Sequence, residues 1–233
     1  MADGIWQPSV GDGVTETESR VQVQFDSMPH QKEASTLGMW VFLATEVLFF
    51  GGLFMAYIVY RTWYPRAFAA GSAHMMTALG AANTAVLLVS SFTMALAVRA
   101  GRLGDRRTQL WALAVTILLG LSFLGIKAVE YTDHFEHHLF PNASFRWEGA
   151  PEFAFNVQIF FTLYFLMTGL HAVHMMVGVG VLSVLFVMAA RRRFNSYYHT
   201  PLEVSGLYWH FVDIVWIFLF PLLYLIDVHA RVG

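Results

Sequence analysis

The chain has 233 residues, of which 57% are hydrophobic and 13% charged, against about 25% charged residues in ordinary soluble domains. Its mean hydropathy is +0.53, and its formal net charge of −2 gives no indication of a nucleic-acid partner. Because the sequence contains no cysteine, disulfides, thiolate metal sites and iron–sulfur clusters are excluded. The composition therefore indicates an integral membrane protein.

Residues 1–36 form a polar and acidic segment ahead of the first apolar run. A secretory signal peptide would have a basic start followed by a short apolar core, and this segment has neither feature. We therefore predict a polar N-terminal tail over residues 1–36 and a single membrane domain over residues 37–233.

Five apolar runs follow, each long enough for the roughly 20 residues that a helix needs to cross a bilayer. They predict an all-α integral membrane protein, a bundle of five transmembrane helices with short polar connections. The fourth run is longer than a bilayer requires, so its helix should tilt or project beyond the membrane. The predicted spans are 37–60, 76–98, 110–131, 156–190 and 205–227.

The distribution of arginine and lysine predicts the orientation, because cytoplasmic connections are enriched in these residues. The arginines between Arg99 and Arg107, and those at Arg191, Arg192 and Arg193, would lie on the same side as the N-terminus. This side is predicted to be cytoplasmic, which puts the C-terminus outside. The triple arginine is predicted to contact anionic lipid headgroups, with a specific lipid site as the alternative.

Glu46 is an ionisable residue inside the first predicted span, about 13 Å from its start at 1.5 Å per residue. A charge at such a depth costs at least about 2.5 kcal/mol, so the carboxyl group needs a partner or a function. One interpretation is a protonated carboxyl hydrogen-bonded to a neighbouring helix. The others are a proton-handling group, a lipid contact or a partner contact.

Lys127 and Glu130 lie three residues apart near the outer end of the third span and so share one helix face. They predict a structural ion pair at the membrane interface, with a lysine that extends outward as the alternative. The segment that follows is predicted to form a solvated polar cap in preference to a zinc or copper site. Its histidines are His134, His137 and His138.

Three further histidines lie within spans, His171 and His174 in the fourth and His210 in the fifth. Two of them on different helices could hold a haem, as in membrane cytochromes. The preferred interpretation is interhelical hydrogen bonding, because His171 and His174 cannot ligate opposite faces of one haem and His210 lies nearer a helix end. His210 and Asp213 share a helix face, so they could pair with each other or face a common partner.

The order of these motifs resembles subunit III of the haem–copper respiratory oxidases, in its shorter five-helix bacterial form. The resemblance extends from about Leu37 to Ile226, and its last segment is the most specific. The matching segments are Gly38–Phe50, Asn83–Ser91, Leu124–Tyr131, Phe160–Gly178 and, after Glu203, Tyr208–Trp216.

The resemblance implies a non-catalytic subunit of a terminal oxidase that reduces oxygen to water and translocates protons across the bacterial plasma membrane. Haem and copper would belong to partner subunits I and II. This chain would hold no redox cofactor, pack on subunit I, bind phospholipid and support proton uptake. The residues at the corresponding polar positions, candidates for a lipid cleft or for proton uptake, are Glu46, Glu203, His210 and Asp213.

Two features depart from that family pattern. Many relatives have two further helices before the glutamate-bearing one, so here a neighbouring subunit would supply that wall of the lipid cleft. In addition, Lys127 stands where a neutral polar residue is expected. Any role that the resemblance would imply for the end of the third span that carries Glu130 is therefore open.

Other functions compete with this interpretation. The chain could be a subunit III-like partner of a nitric oxide reductase, or a stand-alone membrane b-type cytochrome. A transporter is disfavoured, because the spans contain neither paired broken helices nor an inverted repeat. The sequence also lacks a Gly-rich phosphate loop, a nucleophile elbow and a zincin motif.

Overall fold

The fold is predominantly helical in the part of the chain that the computed structural model describes, residues 28–142, 145–147, 149–194 and 199–226. No β-strand occurs in these ranges, and every helix except α2 is long and apolar enough to cross a membrane. This confirms the predicted five-helix membrane bundle. The helices are α1 (Met28–Trp63), α2 (Pro65–Ala73), α3 (Thr77–Leu103), α4 (Arg106–Glu136), α5 (Ala154–Ala190) and α6 (Thr200–Tyr224), with a 3₁₀ turn at Pro151–Phe153.

Most helices extend beyond the predicted spans. The first begins at Met28 and so includes part of the predicted polar tail, of which residues 1–27 lie outside the described residues. The predicted connection Arg99–Gln109 is also largely helical. Apolar runs mark only the part of a helix that crosses hydrocarbon, whereas backbone hydrogen bonding continues into polar sequence. The predicted end of the fifth span, residue 227, lies outside the described residues.

A two-residue turn joins α3 to α4. Gly104 has a φ of 72°, a left-handed conformation that glycine adopts without a Cβ penalty. The Asp105 carboxylate caps α4 by accepting hydrogen bonds from the backbone N–H of Arg107 (3.1 Å), the backbone N–H of Thr108 (3.3 Å) and the Thr108 hydroxyl (2.6 Å). The two bonds from Thr108 are the main cause of a lowered pKa of Asp105. The turn sets α3 and α4 side by side.

Helix α2 lies where the sequence predicts a polar connection, Arg61–Met75. Pro65 begins it, in the first-turn position where a missing N–H costs nothing. The Phe68 ring is fully buried and packs on Tyr57 and Phe160, with centroids 5.3 and 5.5 Å away. This short helix therefore closes one end of the bundle over α5.

Helix α6 is the central element and packs against α1, α3 and α5. Its membrane-crossing window is 56% buried, against 17% for α1. The indole of Trp209 packs against two glycines. A Cβ atom on Gly120 would lie 2.8 Å from the indole, and one on Gly178 would lie 2.9 Å from it. Glycine at these two positions lets α4 and α5 approach the central helix closely.

Helix α1 lies at the edge of the bundle, on α5 and α6. Its outer face is apolar and exposed, as expected for a surface against lipid or another membrane helix. Its exposed residues include Trp40, Val41, Leu48, Met55 and Ile58. A cleft of about 490 Å³ is lined by residues of α1, α3 and α6.

Candidate functional site

Glu46 and His174 form a hydrogen bond between α1 and α5 inside the membrane. Glu46 Oε2 lies 3.1 Å from His174 Nε2, and His174 Nδ1 lies 2.9 Å from the Leu170 carbonyl oxygen. Because a carbonyl only accepts, Nδ1 carries a proton and donates it. Nε2 therefore either donates to a Glu46 carboxylate or accepts from its carboxylic acid. In both cases the pair holds one proton between its two facing atoms.

The surroundings of this pair fix its geometry. The Tyr208 hydroxyl donates a 2.9 Å hydrogen bond to the backbone oxygen of His174, and the Phe50 ring lies edge-on to the imidazole at 5.4 Å. The side chains of Glu46 and His174 are each 18% exposed, so the pair is accessible from the bundle surface. The interhelical hydrogen bond predicted for both residues is thus present.

His210 and Asp213 make no hydrogen bond or ion pair with each other among the described residues. His210 Nδ1 instead lies 2.7 Å from the hydroxyl of Ser91 on α3. The Asp213 carboxyl is 2% exposed and has no hydrogen bond in the described part of the chain, although the Ser91 hydroxyl is its nearby polar group. Direct pairing, the first arrangement that the sequence allowed, is wrong, because the imidazole of His210 bonds Ser91 instead.

Glu203 lies in the first turn of α6, where the helix dipole favours a negative charge. Its carboxylate accepts from Arg102 Nε at 2.6 Å and pairs with Lys32 Nζ at 3.1 Å and His199 Nε2 at 3.4 Å. Sequence reasoning missed the partners Lys32 and Arg102, because each lies on a different helix far along the chain.

Glu203, Lys32 and Arg102 lie at the mouth of the cleft between α1, α3 and α6. Of the four residues named by the family resemblance, Glu203 and His210 line this cleft. Glu46 is bound to His174 on another side, and Asp213 is buried behind Ser91. The remaining lining residues are Lys32, Thr36, Ala95, Val98, Arg99, Arg102, Val204, Gly206 and Leu207.

Lys127 and Glu130 form the predicted ion pair, but in the bundle interior. Lys127 Nζ lies 2.8 Å from Glu130 Oε2, and the two residues are 3% and 0% exposed. The ammonium group also donates to the hydroxyls of Tyr164 (3.0 Å) and Tyr224 (2.8 Å). The outward-extending lysine is therefore wrong, because aromatic side chains from α5 and α6 enclose the pair.

His171 does not make the predicted interhelical hydrogen bond. Both of its ring nitrogens are buried without a hydrogen-bond partner among the described residues. The rings of Phe123 and Trp216 pack against it at 5.4 and 5.3 Å, so its environment is aromatic. A haem ligand needs an open volume beside the imidazole, which these two rings occupy.

The predicted polar cap is partly inside the fold. Helix α4 continues to Glu136, and His134 is fully buried with Nδ1 2.6 Å from the Glu130 carbonyl oxygen. His137 is exposed as predicted, with Nδ1 2.8 Å from the Asp133 carbonyl oxygen and 3.6 Å from Asp133 Oδ1. Within the described ranges, no group of three or more His, Cys, Asp or Glu side chains is arranged to hold a metal ion.

Arg191, Arg192 and Arg193 follow the end of α5 and are exposed. The final carbonyls of α5 are satisfied by Arg106, whose guanidinium donates to Ala189 (3.2 Å) and Ala190 (2.6 Å). The basic groups after α3 and after α5 therefore lie at one end of the bundle. The role of Arg106 as a helix cap has no sequence signal, since it depends on the packing of α4 against α5.

Five membrane-crossing helices make the chain a multi-pass integral membrane protein. The sequence model of the family described as "Cytochrome c oxidase subunit III" matches residues 18–228, and the chain belongs to this family. The chain is therefore an accessory subunit of a haem–copper oxidase, in complex with other oxidase subunits in the bacterial plasma membrane.

Curated relatives are similar over nearly the whole chain. A protein of Staphylococcus haemolyticus (strain JCSC1435) named "Probable quinol oxidase subunit 3" is 28% identical over 201 residues, 86% of this chain and 93% of that protein. Proteins with the same name from Staphylococcus aureus strains USA300 and NCTC 8325 / PS 47 are 27% identical with the same coverage. The family predicted from the motifs is thus confirmed.

Proposed function

We propose that this chain packs directly on subunit I of its oxidase and stabilises the catalytic centre, with subunit II in the same complex. Haem and copper reside in those partner subunits. The chain binds phospholipid and supports proton uptake, and its N-terminus is cytoplasmic. The observation that carries the proposal is the charged cleft between α1, α3 and α6, at the end of the bundle where the basic residues gather.

The chemistry of the cleft fits an anionic phospholipid. Lys32, Arg99 and Arg102 contribute positive charge at the mouth, against the single carboxylate of Glu203. Arg99 is exposed and has no ion pair among the described residues, so its guanidinium is available for a phosphate. Val98 and other apolar side chains form the wall that an acyl chain would contact.

The outer arginines extend the same headgroup surface. Arg191, Arg192 and Arg193 are exposed next to the end of α5, where they would meet anionic lipid near the cytoplasmic surface. Each such residue contributes about 1 kcal/mol of electrostatic attraction close to a membrane. Together with the cleft they would hold a layer of lipid against the partner subunit.

The Glu46–His174 pair is our candidate for supporting proton uptake. Its two facing atoms hold one proton between them, and both side chains are partly exposed at the bundle surface. A group that releases and rebinds a proton locally would buffer the supply to a proton channel in subunit I.

Purification through a tag on this chain in mild detergent tests the assignment to an oxidase. Haem in the complex, none in the isolated chain, and reduction of oxygen rather than nitric oxide would support it. The relatives' names suggest quinol as electron donor, which oxygen uptake with quinol against reduced cytochrome c would decide. A chain that purified alone with its own haem would overturn the assignment in favour of a stand-alone cytochrome.

Lipid binding is tested separately by mass spectrometry of lipids retained by the purified complex. The double variant Arg99→Gln/Arg102→Gln should lose bound anionic phospholipid and inactivate faster during turnover. Arg66→Gln, which removes an exposed arginine of α2 outside the cleft, is the matched control. Equal lipid content in the double variant and the control would contradict the proposed site.

A further inference from the structure

Asp213 is a carboxyl group deep in the bundle, and no cation pairs with it in the described part of the chain. It lies on the central helix α6, is 2% exposed, and has no hydrogen bond to either oxygen among the described residues. A carboxylate buried in this way without a partner is costly, so the neutral acid is its favoured form. A proton held at Asp213 needs a route by which it arrives.

The buried and cleft-lining acids on the surrounding helices have partners other than Asp213. Glu46 of α1 is bonded to His174 of α5, and Lys127 of α4 is paired with Glu130. At the mouth of the cleft the carboxylate of Glu203 is bound by lysine and arginine. His171 of α5 is packed between aromatic rings. Among the described residues, the polar side chains beside Asp213 are therefore His210 and Ser91.

Those two residues connect Asp213 with the cleft. The His210 ring lines the cleft wall, where Lys32, Arg99 and Arg102 mark a polar, water-accessible region. His210 Nδ1 lies 2.7 Å from the Ser91 hydroxyl. The same hydroxyl lies near the Asp213 carboxyl, although the two groups make no hydrogen bond in this structure. The order from outside to inside is therefore cleft, imidazole, hydroxyl, carboxyl.

We propose that Asp213 is a proton-accepting site that exchanges protons with the cleft through His210 and Ser91. Loading begins with the His210 tautomer that carries its proton on Nδ1. A proton from cleft water binds Nε2, the Nδ1 proton passes to Ser91 Oγ, and the Ser91 hydroxyl proton passes to the Asp213 carboxylate. His210 is left neutral with its proton on Nε2, and Ser91 is again a hydroxyl.

Unloading follows the same steps in reverse. Asp213 returns a proton to Ser91 Oγ, the Ser91 proton moves to Nδ1, and Nε2 releases its proton to the cleft. Protons enter and leave this route only at His210 Nε2. Loading followed by unloading therefore restores the starting tautomer without a ring flip. A hydroxyl suits the middle position, since it donates and accepts at the same oxygen.

This inference rests on the proposed function only for its place in proton uptake by the oxidase. The exchange itself is a property of the resting complex and is measured without turnover. Infrared spectra of the purified complex, recorded before and after transfer to D₂O, follow the carbonyl stretch of protonated carboxyl groups. The band that Asp213→Asn removes belongs to Asp213, and its isotope shift reports proton exchange.

In the wild-type complex this band should be present and should shift promptly in D₂O. Ser91→Ala should slow the shift by about 100-fold or more, the factor that a positioned proton-transfer group typically contributes. Ser91→Thr keeps the hydroxyl and should exchange like wild type. Ser183→Ala is the matched control, because the Ser183 hydroxyl bonds only its own helix, at the Val179 carbonyl.

Two results would overturn the proposal. One is a spectrum in which Asp213→Asn removes no protonated-carboxyl band, which would mean an ionised Asp213. The other is unchanged exchange in Ser91→Ala. If that variant fails to assemble with its haem-bearing partner, His210→Gln is measured in its place, with slow exchange expected and wild-type exchange contradicting the relay. Loss of lipid binding or of turnover would leave these results unaffected.

Discussion

The ammonium group of Lys127 lies 2.8 Å from Glu130 Oε2, one turn along the same helix and shielded from both water and lipid. Its other two donors reach the hydroxyls of Tyr164 and Tyr224, so all three N–H bonds have acceptors. The Tyr224 hydroxyl in turn donates to Glu130 Oε1 at 2.6 Å. This cluster joins α4, α5 and α6 at a single point.

Removing one partner of this buried pair should destabilise the subunit. Lys127→Met leaves the Glu130 carboxylate without its cation, and breaking a buried pair in this way typically costs about 3–5 kcal/mol. The thermal midpoint of the purified complex should fall clearly. The double variant Lys127→Met/Glu130→Gln should recover most of the loss. Equal stability of Lys127→Met and the exposed-site control Arg66→Met would show that the pair is not structural.

Replacing Glu46 by glutamine should preserve the fold and impair function. The amide can still hydrogen-bond His174 Nε2, but the pair no longer holds an exchangeable proton between its facing atoms. We expect normal subunit content with lower sustained turnover or proton uptake. Glu33→Gln, which changes an exposed carboxylate on the same helix, should behave like wild type. Normal turnover of Glu46→Gln would remove the pair from the proton-uptake proposal.

A methyl group on Gly178 should disturb the centre of the bundle. An ideal Cβ there would lie 2.9 Å from the Trp209 indole, whereas one on Gly180 meets nothing within 4 Å. Gly178→Ala should therefore destabilise the complex by about 1–3 kcal/mol, the usual effect of overpacking. Gly180→Ala should be neutral in the same thermal assay. A similar loss in both variants would point to backbone effects rather than to contact with Trp209.

The cap at Asp105 predicts a pH dependence. Hydrogen bonds from Thr108 lower the pKa of Asp105 in the folded state, so its stabilising effect is complete above the ordinary carboxyl pKa. That effect is lost as the pH falls through the lowered pKa. Asp105→Ala should lower the thermal midpoint at neutral pH and show a smaller further decline in acid than wild type. Asp105→Ser, another good cap, should keep most of the neutral-pH stability. Parallel pH profiles of wild type and Asp105→Ala would exclude this contribution.

The structure also determines what loss of the Asp213 carboxyl group should do. Direct pairing with His210, which the sequence allowed, would mean that Asp213→Ala leaves His210 without a partner and impairs assembly. Since His210 is bonded to Ser91, this reason does not hold. The variant should keep the Ser91–His210 bond, and its assembly, measured by subunit content, should be near normal.

The membrane-crossing segments could be predicted because hydrocarbon imposes a length and an apolar composition on any helix that crosses it. Helix ends could not, since Met28 and Leu103 lie in sequence with no apolar signal. Helix α2 was missed for the same reason: its burial depends on Phe68 reaching Phe160, a contact made far along the chain.

Within the site, spacing along one helix predicted the Lys127–Glu130 pair. It did not predict the burial of the pair inside the bundle, because the enclosing Tyr164 and Tyr224 come from other helices. It allowed His210 and Asp213 to bond each other, although Ser91 on α3 offered the better-placed partner. Periodicity shows which residues share one face of a helix. Only the packing of the helices determines which residues of other helices contact that face.

The central position of α6 has a consequence for how the protein is made. Helix α6 is synthesised last, after all the helices whose residues it contacts. Until α6 leaves the ribosome, Trp209 does not fill the space beside Gly120 on α4 and Gly178 on α5. The earlier helices therefore lack this central packing until α6 inserts, and a chain that stops before Thr200 should insert its spans without the contacts that Trp209 provides.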